Sequence, residues 1–227
     1  MANPTVAELM LRIRGICREL TATYWADTDA QMLGWATMGL EQQHMLLRKA
    51  LDRTHPDGSI TLHIPDPNHP YWRQFWKSSS VSVVADTTDY TLPATEANRF
   101  DIFHSLVDSN GKRLSPYDIG DELMYKRGRT LGVGRGNGVY TFLPSGQIRI
   151  LVSPGSFGTP KESQTMTLYY FRGITHHEST SDTIDIRDEF TAAPVQFGVF
   201  EALKAKRIAA PSVYEQAIML VKAIPQG

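Results

Sequence analysis

The chain has 227 residues, 41% of them hydrophobic and 21% charged, with a formal net charge of -1. That length is enough to bury a core as one large domain or two small ones, and the composition is that of a folded protein, not a disordered or fibrous one. Charge is spread evenly: 6 basic and 7 acidic groups in residues 1–57, 12 and 12 in 58–184, and 5 and 5 in 185–227, which excludes the basic excess of a dedicated nucleic-acid binder.

Asn3-Pro4 is a helix start signal, and Thr5 with Glu8 fits a capping box. The first helix is expected over Thr5 to Leu20, with Val6, Leu9, Ile13, Ile16 and Leu20 as its apolar stripe and Arg12, Arg14 and Arg18 outside it. The alternation of charged and apolar groups in this segment does not read as a signal peptide. Thr28 with Gln31 suggests a second capping box, opening a long helix that ends near Asp52. Leu33, Leu40, Leu47 and Leu51 form its stripe. Met32, Trp35, Met38 and Met45 widen that stripe beyond what one antiparallel partner covers, so burial on several sides is expected, with neighbouring subunits able to supply the extra cover.

His55-Pro56-Asp57-Gly58 ends the helix, Ile60 to Ile64 alternates like a short strand, and residues 65–70 are too proline-rich for regular structure. Tyr71, Trp72, Phe75 and Trp76 follow within six residues. They read either as a plug at the seam between helical and β parts or as a protruding anchor for a partner, since Trp and Tyr are enriched at binding hot spots.

Period-two alternation marks the middle of the chain as strands. Ile102, His104 and Leu106 oppose Phe103, Ser105 and Val107. Val139 to Leu143 and Ile148 to Val152 flank the turn Pro144-Ser145-Gly146, and Met166, Leu168 and Tyr170 alternate with Thr167, Tyr169 and Phe171. Asn110-Gly111 and Asn137-Gly138 are turn signals, and one short helix is expected near Pro116 to Tyr125. Helices return over Asp188 to Ile208, with Phe197, Phe200 and Leu203 inward, Lys204, Lys206 and Arg207 outward, and Pro194 in the first turns or at a kink. Ser212 with Glu215 suggests a third capping box, and the last helix carries Tyr214, Ala217, Ile218 and Val221, widened by Met219 and Leu220. The tail from Ala223 to Gly227 reads as loose in the isolated protein.

The expected architecture is therefore α+β. Residues 1–57 and 185–227 form a helical bundle, and residues 58–184 form an inserted antiparallel β-sandwich or barrel-like domain.

Little catalytic chemistry is legible. Gly132, Gly134, Gly136 and Gly138 resemble a phosphate fingerprint, but the residues after them read as a strand, not the helix whose N-terminus holds the anion. Lys126, Arg127, Arg129 and Arg135 sit without an acidic neighbour, as a solvated loop or as a finger that brushes DNA or an acidic partner. His176, His177 and Glu178 are adjacent, which suits no metal geometry. Residues 154–158 have the wrong spacing for a nucleophile elbow. Asp118, Asp121 and Glu122 resemble a carboxylate pair in composition only. The single cysteine, Cys17, excludes an internal disulfide and reads as a small inert hydrophobe. No catalytic residue, cofactor or metal site is expected, and no apolar run has the roughly 18 residues of a membrane span.

Four passages resemble one family. Asp89-Tyr90-Thr91-Leu92-Pro93 leads to a strand opening at Ile102. Residues 146–154 form a strand that ends in a proline. Thr165 to Arg172 is a tyrosine-rich strand. Asp185 to Phe190 leads into the C-terminal helices. Together they resemble the head-to-tail adaptor (connector) proteins of tailed bacteriophages, especially the short-tailed type. Pro194 and the aromatic cluster at residues 71–76 depart from the family pattern.

The resemblance implies a structural virion protein, not an enzyme, at the head-tail junction, assembled in the host cytoplasm. Its partners would be the portal protein, the tail nozzle or tube, and copies of itself in a cyclic ring, commonly a dodecamer, with genomic DNA passing transiently through the lumen. Tyr71, Trp72, Phe75, Trp76, Ile218, Met219, Leu220 and Ile224 are the candidate partner interface, and Lys126, Arg127, Arg129 and Arg135 the candidate lumen loop. The competing readings are a tail nozzle or tail-completion protein and a carbohydrate- or peptide-binding β module using Tyr71, Trp72 and Trp76. A further alternative is an enzyme built around residues 118–122.

Overall fold

The computed structural model describes residues 3–21, 28–54, 60–95, 99–117, 138–152 and 163–224. They form a mixed α+β structure in two units, one made of Met1–Phe75 with Ile174–Gly227 and the other of Trp76–Gly173.

The first unit holds helices α1 (Val6–Thr21), α2 (Asp29–Lys49), α3 (Ala192–Ala205) and α4 (Pro211–Lys222), with a small hairpin of β1 (Asp52–Thr54) and β2 (Ile60–Leu62). Both N-terminal capping boxes form. The Thr5 amide donates to Glu8 Oε2 at 2.7 Å, and the Thr28 hydroxyl and the Gln31 side chain satisfy each other's backbone amides. The third does not. Pro211 opens α4 with Ala210 at the cap, because a proline lacks the N–H that the first turn leaves unsatisfied, and Ser212 lies inside the helix.

Pro194 sits in the first turn of α3, so it removes no intrahelical bond. The helix expected from Asp188 begins instead as a 3-10 turn at Asp188–Phe190 and ends at Ala205. Arg207 takes a left-handed φ of 60°, and the Ile208 amide reaches back to the Leu203 carbonyl at 3.0 Å, closing the helix end.

Helix α3 packs against α1, α2 and α4 and buries Ala193, Val195, Phe197, Val199, Ala202 and Leu203; Phe200 is only half-buried. Helix α2 is also covered on several sides, by α1, α3 and α4 and by Trp72 and Phe75 against His44, while its Met38 and Met45 stay exposed. The division of the chain also differs from the expected limits at 57/58 and 184/185. Backbone bonds explain the second boundary. The Val6 and Ala7 amides donate to the carbonyls of Asp182 and Thr180, and the Ile184 amide donates to Pro4, which ties residues 180–184 to the start of α1.

The second unit holds two sheets. One has the order β3 (Trp76–Val83), β9 (Gln164–Arg172), β5 (Phe100–Val107), all antiparallel. The other runs β4 (Asp89–Thr91), β8 (Gln147–Val152), β7 (Gly138–Leu143), β6 (Ser115–Pro116), with β6 parallel to β7. Pro116, expected to start a short helix, is in a strand, the Tyr117 amide donates to the Tyr140 carbonyl, and residues 118–125 of that expected helix lie outside the described residues. Val81, Val83, Leu106, Met166, Leu168 and Tyr170 of the first sheet share one core cluster with Tyr140, Ile148 and Ile150 of the second.

Strand β5 corrects the expected alternation. Its register against β9 slips twice, with Asp101 and His104 as the inserted residues, so Phe100, Phe103 and Leu106 face Arg172, Tyr170 and Leu168 on one face. Each bulge inserts one residue and inverts the phase of the strand beyond it, which puts Ile102 on the face opposite Leu106.

Candidate interaction surfaces

The aromatic run divides between the units. Asp66 Oδ1 accepts the Asn68 amide at 2.8 Å, starting a turn that leads into a 3-10 helix at Trp72–Gln74. This turn aims Tyr71, Trp72 and Phe75 into the first unit, where all three are buried. His44 of α2 lies 4.8 Å from the Phe75 ring and 5.6 Å from Trp72, and Tyr71 meets Phe190 edge-on at 5.5 Å. The Tyr71 hydroxyl is hydrogen-bonded to His44 Nδ1 at 3.2 Å, and burial pushes its pKa far above the ordinary tyrosine value.

These three side chains form core, which corrects their reading as a protruding anchor or as a stacking platform. Trp76, half-buried, opens β3 in the second unit and stacks on Tyr169 at 5.6 Å, with His104 edge-on at 4.7 Å.

The C-terminal candidates separate by helical phase. On α4, Val213, Ala217 and Val221 are buried, Ile218 and Leu220 are half-buried, and Met219 is 63% exposed. Ile224 is buried just past the helix, its amide bonded to the Val221 carbonyl at 3.1 Å, so the chain is packed one residue beyond the point where the loose tail was expected to begin. Residues 225–227 lie outside the described residues.

Helices α2 and α4 border an open, largely apolar pocket of about 410 Å³ lined by Leu46, Lys49, Ala50, Ile218, Val221 and Lys222. Met45 (60% exposed) directly precedes Leu46 and Met219 directly follows Ile218 in the chain, and Leu11, Leu20 and Met38 are also exposed on α1 and α2. Composition alone did not mark Leu46 for this pocket. The breadth of the apolar stripe on α2 was the signal that could have found it.

In the second unit β3 and β4 are consecutive in the chain but belong to different sheets. Tyr90 holds the turn between them, its hydroxyl donating to the Thr87 carbonyl at 2.6 Å and accepting the Val84 amide at 3.3 Å. Between the two strands lies an open groove of about 460 Å³, lined by Ser78 to Ser82 on one side and Tyr90 to Thr95 on the other, with Tyr170. The serines of this wall were not legible as a site, because small hydroxyl residues carry no periodic signal.

Other chemistry is local and structural. His176 Nδ1 lies 3.0 Å from Glu41, while His177 is buried and points to Asp182 at 3.8 Å. Among the described residues no group of His, Cys, Asp or Glu could hold a metal. Arg12 donates to Asp188 at 2.6 Å and holds that carboxyl below its ordinary pKa. Arg149 pairs with Asp89 through two bonds, at 2.6 and 2.8 Å, clamping β8 to β4. Burial raises the Tyr140 pKa to about 12. Cys17 is buried.

Lys126, Arg127, Arg129, Arg135, the acids at 118–122, residues 132–136 and 154–158 lie outside the described residues, while Gly138 opens a strand. No described helix is long and apolar enough to cross a membrane. Compared with models of known protein families and with curated proteins, the sequence matches none of them.

Proposed function

We propose that this chain is the head-to-tail adaptor of a short-tailed bacteriophage, a cyclic ring seated beneath the portal and holding the tail nozzle or tube. In this reading the helices form a bundle that packs side by side between subunits, the two sheets form a sandwich-like domain, and the genome passes through the lumen. The observation that carries it is that large apolar side chains stay exposed on helices drawn from both chain ends: Leu11 and Leu20 on α1, Met38 and Met45 on α2, and Met219 on α4. Methionines on a surface suit interfaces that adapt to a neighbour, and exposed apolar helix faces mark interaction sites. A ring covers them with heterologous contacts that close on themselves. A net charge of -1 agrees with a channel that must let DNA slide, because a strongly basic wall binds phosphate and slows its exit.

The test is purification of the tagged chain from producing cells, with negative-stain imaging and identification of the proteins that co-purify. Rings attached to a portal-like oligomer or to filled particles support the proposal, and a lone monomer with no viral partner overturns it. The double variant Met45→Glu with Met219→Glu is expected to keep the parent Tm and lose ring formation.

A further inference from the structure

We propose that the free edge of β3 accepts an extended, uncharged segment of a partner polypeptide, which adds to the sheet as a strand and fills the groove between β3 and β4. The inference stands whether or not the chain forms a ring.

It rests on how the four edges of the two sheets in the second unit differ. Strand edges expose unpaired amides and carbonyls, and proteins guard them with bulges, prolines, charges or brevity. Edge strand β5 carries the two bulges at Asp101 and His104. Edge strand β4 is three residues long and runs into Pro93, and edge strand β6 is two residues long and includes Pro116. Strand β3 has none of these guards. It is eight residues long, its register against β9 is unbroken from Trp76 to Val83, and its single charge is Lys77, near its start. From Ser78 to Val83 no described strand pairs with its outer side.

The groove sits along this edge. Ser78 to Ser82 span about 13 Å as a strand, the reach of a five-residue partner segment. Val81, Leu92 and Pro93 offer apolar contacts for alternate side chains of the incoming strand, and the serine and threonine hydroxyls can satisfy its polar ones. Among the described residues none that lines the groove is charged, so these residues offer no counter-charge to a charged side chain placed there. That neutrality selects an uncharged occupant. The Tyr90 clamp on the turn holds the groove open in advance, which lowers the ordering cost of binding.

The test is an array of immobilised octapeptides probed with the full chain. One set alternates Ser or Thr with Val or Ile, a second carries Glu at alternate positions, and a third has a central Pro. Retention on the first set is expected to exceed the other two by roughly tenfold, as strand addition needs both backbone pairing and neutrality. Ser80→Lys with Ser82→Lys charges the edge at two exposed positions, and is expected to abolish that retention at unchanged Tm. Thr91→Lys tests the opposite wall in the same way should the double variant fold poorly. Equal retention on all sets, no retention at all, or parent-level binding by folded variants overturns the proposal. Binding of maltohexaose in place of peptide also overturns it and gives the groove to carbohydrate.

Discussion

Gly39 of α2 lies against Gly198 of α3 where the two helices cross. A Cβ on Gly39 would overlap the Pro194 carbonyl oxygen and lie 3.1 Å from the Gly198 amide nitrogen. Both obstacles are backbone, so neither can swing aside. Gly39→Ala is therefore expected to destabilise the protein by about 1–3 kcal/mol. Gly34 on the same helix meets nothing within 4 Å, and Gly34→Ala is expected to add about 0.5–1 kcal/mol through helix propensity alone. Urea midpoints of the two variants should move in opposite directions.

Trp72 and Phe75 are core residues of the first unit, with Trp72 only 2% exposed. Trp72→Ala and Phe75→Ala are each expected to cost about 3–5 kcal/mol by leaving cavities. Denaturant unfolding checks this. A surface anchor would instead lose partner binding with its stability intact.

The Asp89–Arg149 pair joins β4 to β8 at directly opposed register positions, both side chains about a quarter to a third exposed. Asp89→Asn is expected to cost on the order of 1 kcal/mol, given partial solvent screening. The loss should shrink in roughly 1 M salt, where the screening length falls to about 3 Å. Thermal unfolding at low and high salt measures both effects.

His104 has its pKa lowered from 6.5, first by burial and then by the Arg113 charge. The folded state favours the neutral imidazole, so the unfolded chain binds the proton more readily. Its contribution to stability is present above the ordinary imidazole value and is lost as pH falls through 6.5 toward the folded value. His104→Gln is expected to lose less Tm than the parent on going from about pH 7 to about pH 5. Paired melts across that window decide it, and parallel curves would show that His104 does not set the pH dependence.

Features under short-range control were legible in the chain. The Thr5–Glu8 and Thr28–Gln31 caps close over three residues, the turn at residues 144–146 joins β7 to β8, and strict alternation buries Met166, Leu168 and Tyr170. Pattern also marked the C-terminal helices, although Pro211 displaced the cap expected at Ser212. Features that depend on partners far along the chain were set by the fold. Thr5 bridges to Thr183, which draws residues 180–184 to the helices. Tyr71 finds His44 and Phe190, so three aromatics that could have stood on the surface became core. Two bulges inverted the phase of β5, and α3 joined α2 among the helices that meet all the others. Burial depends on which elements meet, and a window of sequence carries the periodicity of a face without saying which neighbour covers it. The same limit hid the β3 edge. Its lack of guards is visible only once the strand is known to lie at the border of a sheet.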